Sequence, residues 1–477
     1  MSDGQVVTVS DAPTGKLSLM LHFLEHLMIS FWNRLQGGRR RARKIPLGII
    51  LGYLVAEEQV TRRHVGLSTT RRTMHMALLG KTGSGKSSLL KFLCLQDIEA
   101  GRGFVYFDLH GDATPFLLRA IAAHERKQKE DLSERLIVIS PADAEMSVGL
   151  NPLEDAEPDF VKIAEFAEVL KQRWGLDHFG ARTDELLRNA LYVLAANGLT
   201  LLELAPLLTQ SGFRAKCLQQ VPNPEVRQYF EVRYGQASEP MQATMREPIL
   251  NKTSAFTADP RFRHIVGQTQ STFSMKEAMD QGFWIIVNLE KGKLGSHALT
   301  LGSLVFTGIK NTLFTREKRS LFTVYCDEIQ NLIAYSTDVE TVLSEARKFG
   351  VSVVSANQFL DQYPPQMRAA ILSIGTHVFF QLSSADATQV AQILDGGKPL
   401  AERLKNLPQR HFLLKSGADR WVEGFVPTVE DTKTSYKDLL LRSLALHARP
   451  RTEIEREIAQ RHADLNRTTD EVLHGWE

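Results

Sequence analysis

The chain has 477 residues and a formal net charge of +2, so no global basic field draws it to nucleic acid and any such attraction has to be local. A hydrophobic fraction of 43% and a charged fraction of 23% fit a soluble globular protein with room for two or three domains. Cys94, Cys217 and Cys326 lack metal-like spacing and sit in apolar contexts, which suits a reducing cytoplasm.

Residues 1–15 are polar and read as disordered. Residues 17–35 carry Leu17, Leu21, Leu24, Leu27, Met28, Phe31 and Trp32 on one broad helical face. His22, Glu25 and His26 interrupt this stretch, and nowhere does the chain reach the ~20 apolar residues needed to span a bilayer. A glycine pair and a basic run, Arg39 to Lys44, follow. Two readings of segment 1–44 stay open. Its helix packs on the body, or it lies on an anionic membrane surface or a partner, with the arginines on phosphate groups.

Residues 45–72 hold short strand-like pieces that lead into the core. Residues 75–79 are a short apolar run and predict a buried strand. The next nine residues are Gly80, Lys81, Thr82, Gly83, Ser84, Gly85, Lys86, Ser87 and Ser88. The first eight match G-x-x-x-x-G-K-[ST] without a mismatch, and helix formers follow. Strand, glycine-rich turn and helix is the context that makes the motif a phosphate-binding loop. Its glycines let successive N–H groups curl toward phosphate oxygens, and the helix start adds its dipole. Lys86 is placed to reach the β- and γ-phosphates of ATP, and the Ser87 hydroxyl to ligate Mg²⁺.

Residues 103–107 and 135–139 predict two more buried strands, the first ending in Asp108-Leu109-His110-Gly111-Asp112. Strands separated by helical stretches imply a parallel sheet covered on both faces. Asp108 to Gly111 fits a D-x-x-G switch loop, but the partner motif N/T-K-x-D is missing, so GTP is not expected. Residues 157–280 turn helical, with interspersed bases and acids, and read as an all-α insertion between core strands. The core, 45–156 and 281–429, resumes with strands at 283–289, 321–326, 351–355, 376–381 and 411–414. Residues 430–477 are charged and partly helical.

Asp327 and Glu328 close the strand at 321–326. Paired with a phosphate loop, such acids hold Mg²⁺ through its water shell (Asp327) and orient the attacking water (Glu328). Gln358 follows the strand at 351–355, on the ligand side of an open α/β sheet. It senses the γ-phosphate or is a loop amide bonded to backbone. Arg347, just before Gly350, is on physics alone a helix C-terminal cation ahead of a glycine cap.

The order Gly80-x-x-Gly83-x-Gly85-Lys86-Ser87, then D-L-H-G-D, then Leu150-Asn151-Pro152-Leu153, then C-D-E-I-Q, S-E-A-R-K-F-G and A-N-Q resembles the HerA–FtsK superfamily. Within it, the chain resembles the coupling-protein ATPases of type IV secretion and conjugation from about residue 60 to about 425. The resemblance implies a RecA-like P-loop NTPase core with a mostly parallel sheet and an inserted all-α domain. It implies hexameric rings with ATP between subunits, DNA through the centre, and a secretion-channel or relaxase partner. It places Lys86, Ser87, Asp327 and Glu328 on nucleotide and Mg²⁺ positions, Gln358 on the sensor position, and Arg347 on a trans-acting arginine. Coupling proteins usually carry an N-terminal transmembrane anchor, where this sequence has only the amphipathic 17–35. The reading is therefore a cytoplasmic ATPase, peripheral at the membrane if 17–44 docks there. It moves DNA, or alternatively powers protein secretion or channel assembly, serves HerA-like DNA processing or defence, or gates binding with little turnover.

Overall fold

The computed structural model describes residues 6–8, 48–154, 158–332 and 342–474. The amphipathic segment 17–35 and the basic run 39–44 lie outside them. Among the described residues no helix is long and apolar enough to cross a membrane. The strands are β1 (Val6–Thr8), β2 (Ile49–Ala56), β3 (Gln59–Leu67), β4 (Met76–Leu79), β5 (Gly103–Asp108), β6 (Leu136–Ile139) and β7 (Met146–Ser147). They continue with β8 (Trp284–Asn288), β9 (Phe322–Asp327), β10 (Val351–Asn357), β11 (Thr376–Phe379), β12 (His411–Ser416), β13 (Val422–Phe425) and β14 (Arg449–Pro450).

The chain forms two compact units. The first comprises Met1–Gln96, Ala356–Gln362 and Arg368–Val429, and its strands run β1-β3-β2-β13-β12-β11-β4. β4 and β11 are parallel, whereas β11, β12, β13, β2 and β3 pair antiparallel in turn. All four residues of β4 are buried, as a strand covered on both faces requires. Val6–Thr8, read from sequence as disordered, is a strand parallel to β3. Its physical reason is an edge: β3 offers an unpaired row of backbone groups, and two valines and a threonine suit a pleat.

The second unit comprises Asp97–Ser355, Tyr363–Met367 and Glu430–Glu477. Its sheet runs from β10, through Ser355, to β9, β5, β8 and β6, and β9-β5-β8-β6 is parallel throughout. β5, β6 and β8 are buried at every position, so they read as unbroken apolar runs rather than alternating ones. Among the described residues between 158 and 281 no strand occurs. Helices there start at strong caps: Asp159 accepts from Val161 and Lys162, Asn223 precedes Pro224, and Asp259 precedes Pro260.

The Leu150–Leu153 motif stitches the entry of this helical stretch to its exit. Buried Asn151 donates through Nδ2 to the carbonyls of Leu199 (3.3 Å) and Thr269 (2.9 Å), and through its backbone N–H to Ser271 Oγ (3.0 Å). Leu150 N donates to Ile265 O, and Gly149 exchanges bonds with Thr272.

The C-terminal segment is two helices, Lys437–His447 and Arg451–His474. Ser443 Oγ of the first donates to Leu136 O (2.6 Å) at β6. The second buries Ile454 and Ile458 against Leu202. It is also held by charge, because Arg461 Nε and His462 Nε2 reach Glu203 Oε1 at 2.8 and 3.2 Å. Burial pulls the Glu203 pKa upward, but His462, Arg461 and Thr200 outweigh it and hold the carboxyl down at about 2. A carboxyl depressed in the folded state stabilises above its unfolded pKa and loses that contribution as pH falls toward the folded value. Docking of the last helix should therefore hold at neutral pH and weaken from about pH 4.5 toward 2. Glu203→Gln should loosen it at pH 7 by about 2 kcal/mol. Amide hydrogen exchange over residues 451–462 measures both, and unchanged protection in Glu203→Gln would contradict the lock.

Candidate nucleotide-binding site

The glycine-rich turn lies in the first unit, between β4 and the helix Lys86–Glu99. Five hydrogen bonds hold it, one within the turn and four to other parts of the chain. Gly80 N donates to Asn357 O (3.2 Å), Lys81 N to Gln381 O (2.8 Å), and Ser84 N to Lys81 O (3.2 Å). Ser84 O accepts from Arg410 N (2.8 Å), and Gly83 O from Gln409 Nε2 (3.0 Å). Two glycines are obligatory. Gly85 has φ +124°, and a Cβ there would lie 3.1 Å from both Arg410 Cα and the Phe380 ring. Gly80 would bring a Cβ to 2.5 Å from Phe380 Cβ.

Lys86 is 7% exposed, and its Nζ donates to Gly80 O (2.6 Å) and Lys81 O (3.1 Å), so its charge lies across the turn. Ser84 Oγ is buried without a hydrogen-bond partner, and a Cβ on Gly83 would meet nothing within 4 Å. Ser87 stands exposed in the first helical turn, where N–H groups have no intrahelical acceptor. A buried cation, an unused hydroxyl and a helix start suit a polyphosphate. Thr82 Oγ1 donates to Gln358 Oε1 (2.9 Å), which puts Gln358 against the turn; Gln358 N donates to Gln362 Oε1 (2.9 Å). Ser88 is half-buried on the helix.

Asp327 and Glu328 lie in the second unit, at the end of β9, and both are half-exposed. Glu328 has φ 57° and ψ 57°, left-handed backbone that costs a non-glycine residue about 1–3 kcal/mol. A short turn, Ile329–Asn331, holds it: Asn331 N donates to Glu328 O, and Asn331 Nδ2 to its Oε2 at 2.8 Å. Burial pushes the Cys326 thiol well up, so it stays neutral beside Asp327. Arg347 is exposed on the turn Ala346–Phe349, capped by Gly350 at φ +73°. Any side chain on Gly350 would strike Arg319 O at 2.3 Å.

Asp108 is no switch residue here. Its carboxylate accepts from Gly111 N (2.8 Å), Ala113 N (3.0 Å), Thr114 N (2.7 Å) and Thr114 Oγ1 (2.7 Å), capping the helix Ala113–Gln128. Sequence reasoning missed Gln409 and Arg410. Arg410 adopts φ 67°, donates through Nε to Val426 O (2.9 Å), and lies 4.8 Å from the Phe425 ring centroid. No local motif marks these residues, because their contacts to the turn, a side-chain bond from Gln409 and a backbone bond from Arg410, span over 300 positions of sequence.

Gly85→Ala should lose nucleotide binding and destabilise the protein, since the positive φ strains any side chain and a Cβ would press on Arg410 Cα and the Phe380 ring. Gly83→Ala, where there is space, should suffer the backbone cost alone. Thermal unfolding together with titration of a fluorescent ATP analogue measures this; equal loss in the two variants would remove the steric argument.

Residues 49–188 match a family model described as the central domain of the helicase HerA. Comparison with curated proteins gives no match. The bacterial conjugative coupling protein TrwBdeltaN70 superposes with a TM-score of 0.56 at 15% identity, over 76% of this chain and 87% of that one. The plasmid coupling protein TrwB in complex with ADP and Mg²⁺ gives 0.55 at 16% identity, over 78% and 89%. VirB4 of Thermoanaerobacter pseudethanolicus gives 0.53 at 16% identity, over 80% and 97%. Residues 49–188 are thus similar to the HerA central domain, and the fold is similar to that of TrwB and VirB4.

Proposed function

We propose that this protein is a Mg²⁺-dependent ATPase that moves DNA, working as a ring of identical subunits in the manner of a conjugative coupling protein. The observation that carries the ATPase reading is the strapped glycine turn with Lys86 folded across it. The solved TrwB complex with ADP and Mg²⁺ supports the same cofactors. Gly80 to Ser88 cradle the phosphates through backbone N–H groups, with Lys86 supplying charge at the transferred group. Ser87 and Asp327 hold Mg²⁺, which when bound neutralises charge on the phosphates. Glu328 orients water for in-line attack, its carboxylate steadied by Asn331 Nδ2. Gln358, tied to Thr82, reports the state of the turn to β10. Arg347 is exposed and supplies positive charge to the nucleotide of a neighbouring subunit.

The domains follow as an N-terminal segment 1–44, a core of 45–156 and 281–429, a helical insertion 157–280, and a tail 430–477. DNA and a relaxase or channel component are the partners of this reading. A cytoplasmic site, peripheral at the membrane through 17–44, is the location that goes with it. One observation favours the second reading, an ATPase that powers protein secretion or channel assembly. Many basic side chains of the helical stretch are paired with acids: Lys171 with Glu168, Arg188 with Asp184, Arg233 with Glu185, Arg246 with Glu239, Arg261 with Asp259 and Arg263 with Glu455. Paired arginines offer DNA less charge than their number suggests.

Glu328→Gln should retain ATP yet stall turnover, whereas Lys86→Ala should lose ATP itself. Arg347→Ala should bind ATP normally and hydrolyse it slowly, since trans-acting arginines are worth ~10³–10⁵ in rate. Mixing the Glu328→Gln and Arg347→Ala proteins should restore part of the activity, because some interfaces then join an intact Glu328 to an intact Arg347. No recovery on mixing, with activity linear in protein concentration, would leave Arg347 a helix-end cation.

Hydrolysis measured with and without single- and double-stranded DNA separates the two readings. A motor on DNA should be stimulated, and its binding should fall more than about tenfold between 50 and 200 mM salt. An unstimulated rate with salt-insensitive binding favours the protein-secretion reading.

A further inference from the structure

A cavity of ≈ 200 Å³ lies in the second unit beyond the carboxyl ends of β5, β6 and β8. Its polar end is Asn288, Glu290 and Ser140; Leu118, Val138 and Leu440 are among its apolar walls. Asn288 is 8% exposed, and its Oδ1 has no hydrogen-bond partner. The amide orientation follows from its neighbours. Nδ2 donates to Glu290 Oε1 (3.3 Å) and to Ser140 Oγ (3.4 Å), and turning the amide over would set Oδ1 against a carboxylate. The cavity therefore presents a buried acceptor that lacks a donor, beside a carboxylate.

The chain supports this arrangement at some cost. Glu290 has φ 33° and ψ 53°, left-handed for a residue with a side chain. Backbone bonds from Leu289 N to Asp108 O (2.9 Å) and from Lys291 N to Leu109 O (2.8 Å) hold it there. Gly111, also left-handed, gives it room, because a Cβ at 111 would stand 2.5 Å from Glu290 Cγ. Lys293 Nζ lies 2.7 Å from Glu290 Oε2, so the carboxylate already takes an ammonium. The Lys293 side chain is 76% exposed, and such rim pairs exchange readily. Lys293 and Asn288 hold the Glu290 carboxyl below its usual range, so it is ionised at neutral pH. Asp143 also lines the cavity, though its Oδ1 is committed to the N–H groups of Glu145 and Met146. Among the described residues no group of three His, Cys, Asp or Glu is arranged for a metal ion.

We propose that this cavity binds an ammonium or guanidinium group on a short aliphatic stem, with Asn288 Oδ1 and the Glu290 carboxylate accepting its hydrogen bonds. The apolar walls take the methylenes. The chemistry is shared by a free organic amine and by a lysine or arginine side chain of a second copy of this chain.

Agmatine, which has both head groups, is the probe, titrated calorimetrically into the full chain. Saturable binding is expected, weakened at least tenfold in Glu290→Gln and in Gly111→Ala, with thermal unfolding and ATP-analogue binding as checks on folding. Butyltrimethylammonium, which has the charge and stem but no N–H, should not compete. Sedimentation with and without agmatine distinguishes the sources. If a second copy supplies the cation, agmatine and Glu290→Gln both reduce self-association; if a free amine does, assembly is indifferent to both while agmatine still binds. Agmatine binding that Glu290→Gln leaves undiminished overturns the proposal. So does an absence of binding combined with unchanged assembly in Glu290→Gln. If Gly111→Ala does not fold, the Glu290→Gln comparison alone decides.

Discussion

The four-point strapping of the glycine turn is the constraint on which the candidate site depends. A loop with Gly80, Gly83 and Gly85 has more backbone freedom to lose than any other, and would wander if left to itself. Here its N–H and C=O groups are tied to Asn357, Gln381 and Arg410, which come from β10, the end of β11 and the start of β12. The turn is thus fixed by the carboxyl or amino ends of other strands rather than by its own sequence. Phe380 closes the argument: its backbone continues the ladder to Leu79, and its side chain leaves no volume at Gly80 or Gly85. The glycines then serve two ends at once, permitting the curl and admitting the clamp.

How much of this the sequence disclosed depends on the range of each interaction. The glycine-rich turn between strand and helix was legible because the three are contiguous and every residue type has a local reason. The fully buried strands β5, β6 and β8, and β9 up to Cys326, were legible because a sheet covered on both faces writes unbroken apolar runs. The short edge strand Val6–Thr8 was not, since three residues carry no period and its existence depends on β3 needing a partner. β13 was missed for a similar reason, being four residues with only one buried. Asn151 was visible only through a family resemblance. Its four hydrogen bonds reach Leu153, Leu199, Thr269 and Ser271, so nothing within a window around it could reveal the stitch. Glu203 carries no local mark in the sequence, because its partners Arg461 and His462 lie 258 and 259 residues away.

The strand ends of the second unit show how chemistry can be told from capping. β5 ends in Asp108, whose four short hydrogen bonds satisfy it completely within six residues of chain. A carboxylate so engaged is structural, whatever motif its letters suggest. β9 ends in Asp327 and Glu328, and β8 ends in Asn288 with Glu290 two residues on. Both glutamates have left-handed backbone, φ 57° and 33°, which folded chains keep only where surroundings enforce it. Neither is needed to finish its strand, since a glycine would adopt either conformation without strain. Two strand ends therefore carry an acid where the backbone asks for glycine, at the edge of the sheet where ligands of open α/β folds are found. One of these acids follows the aspartate expected to hold a metal. The other sits against a buried amide oxygen that lacks a donor. The shared backbone cost at Glu328 and Glu290 is the physical reason to read both strand ends as sites, and the complete satisfaction of Asp108 is the reason to leave it out.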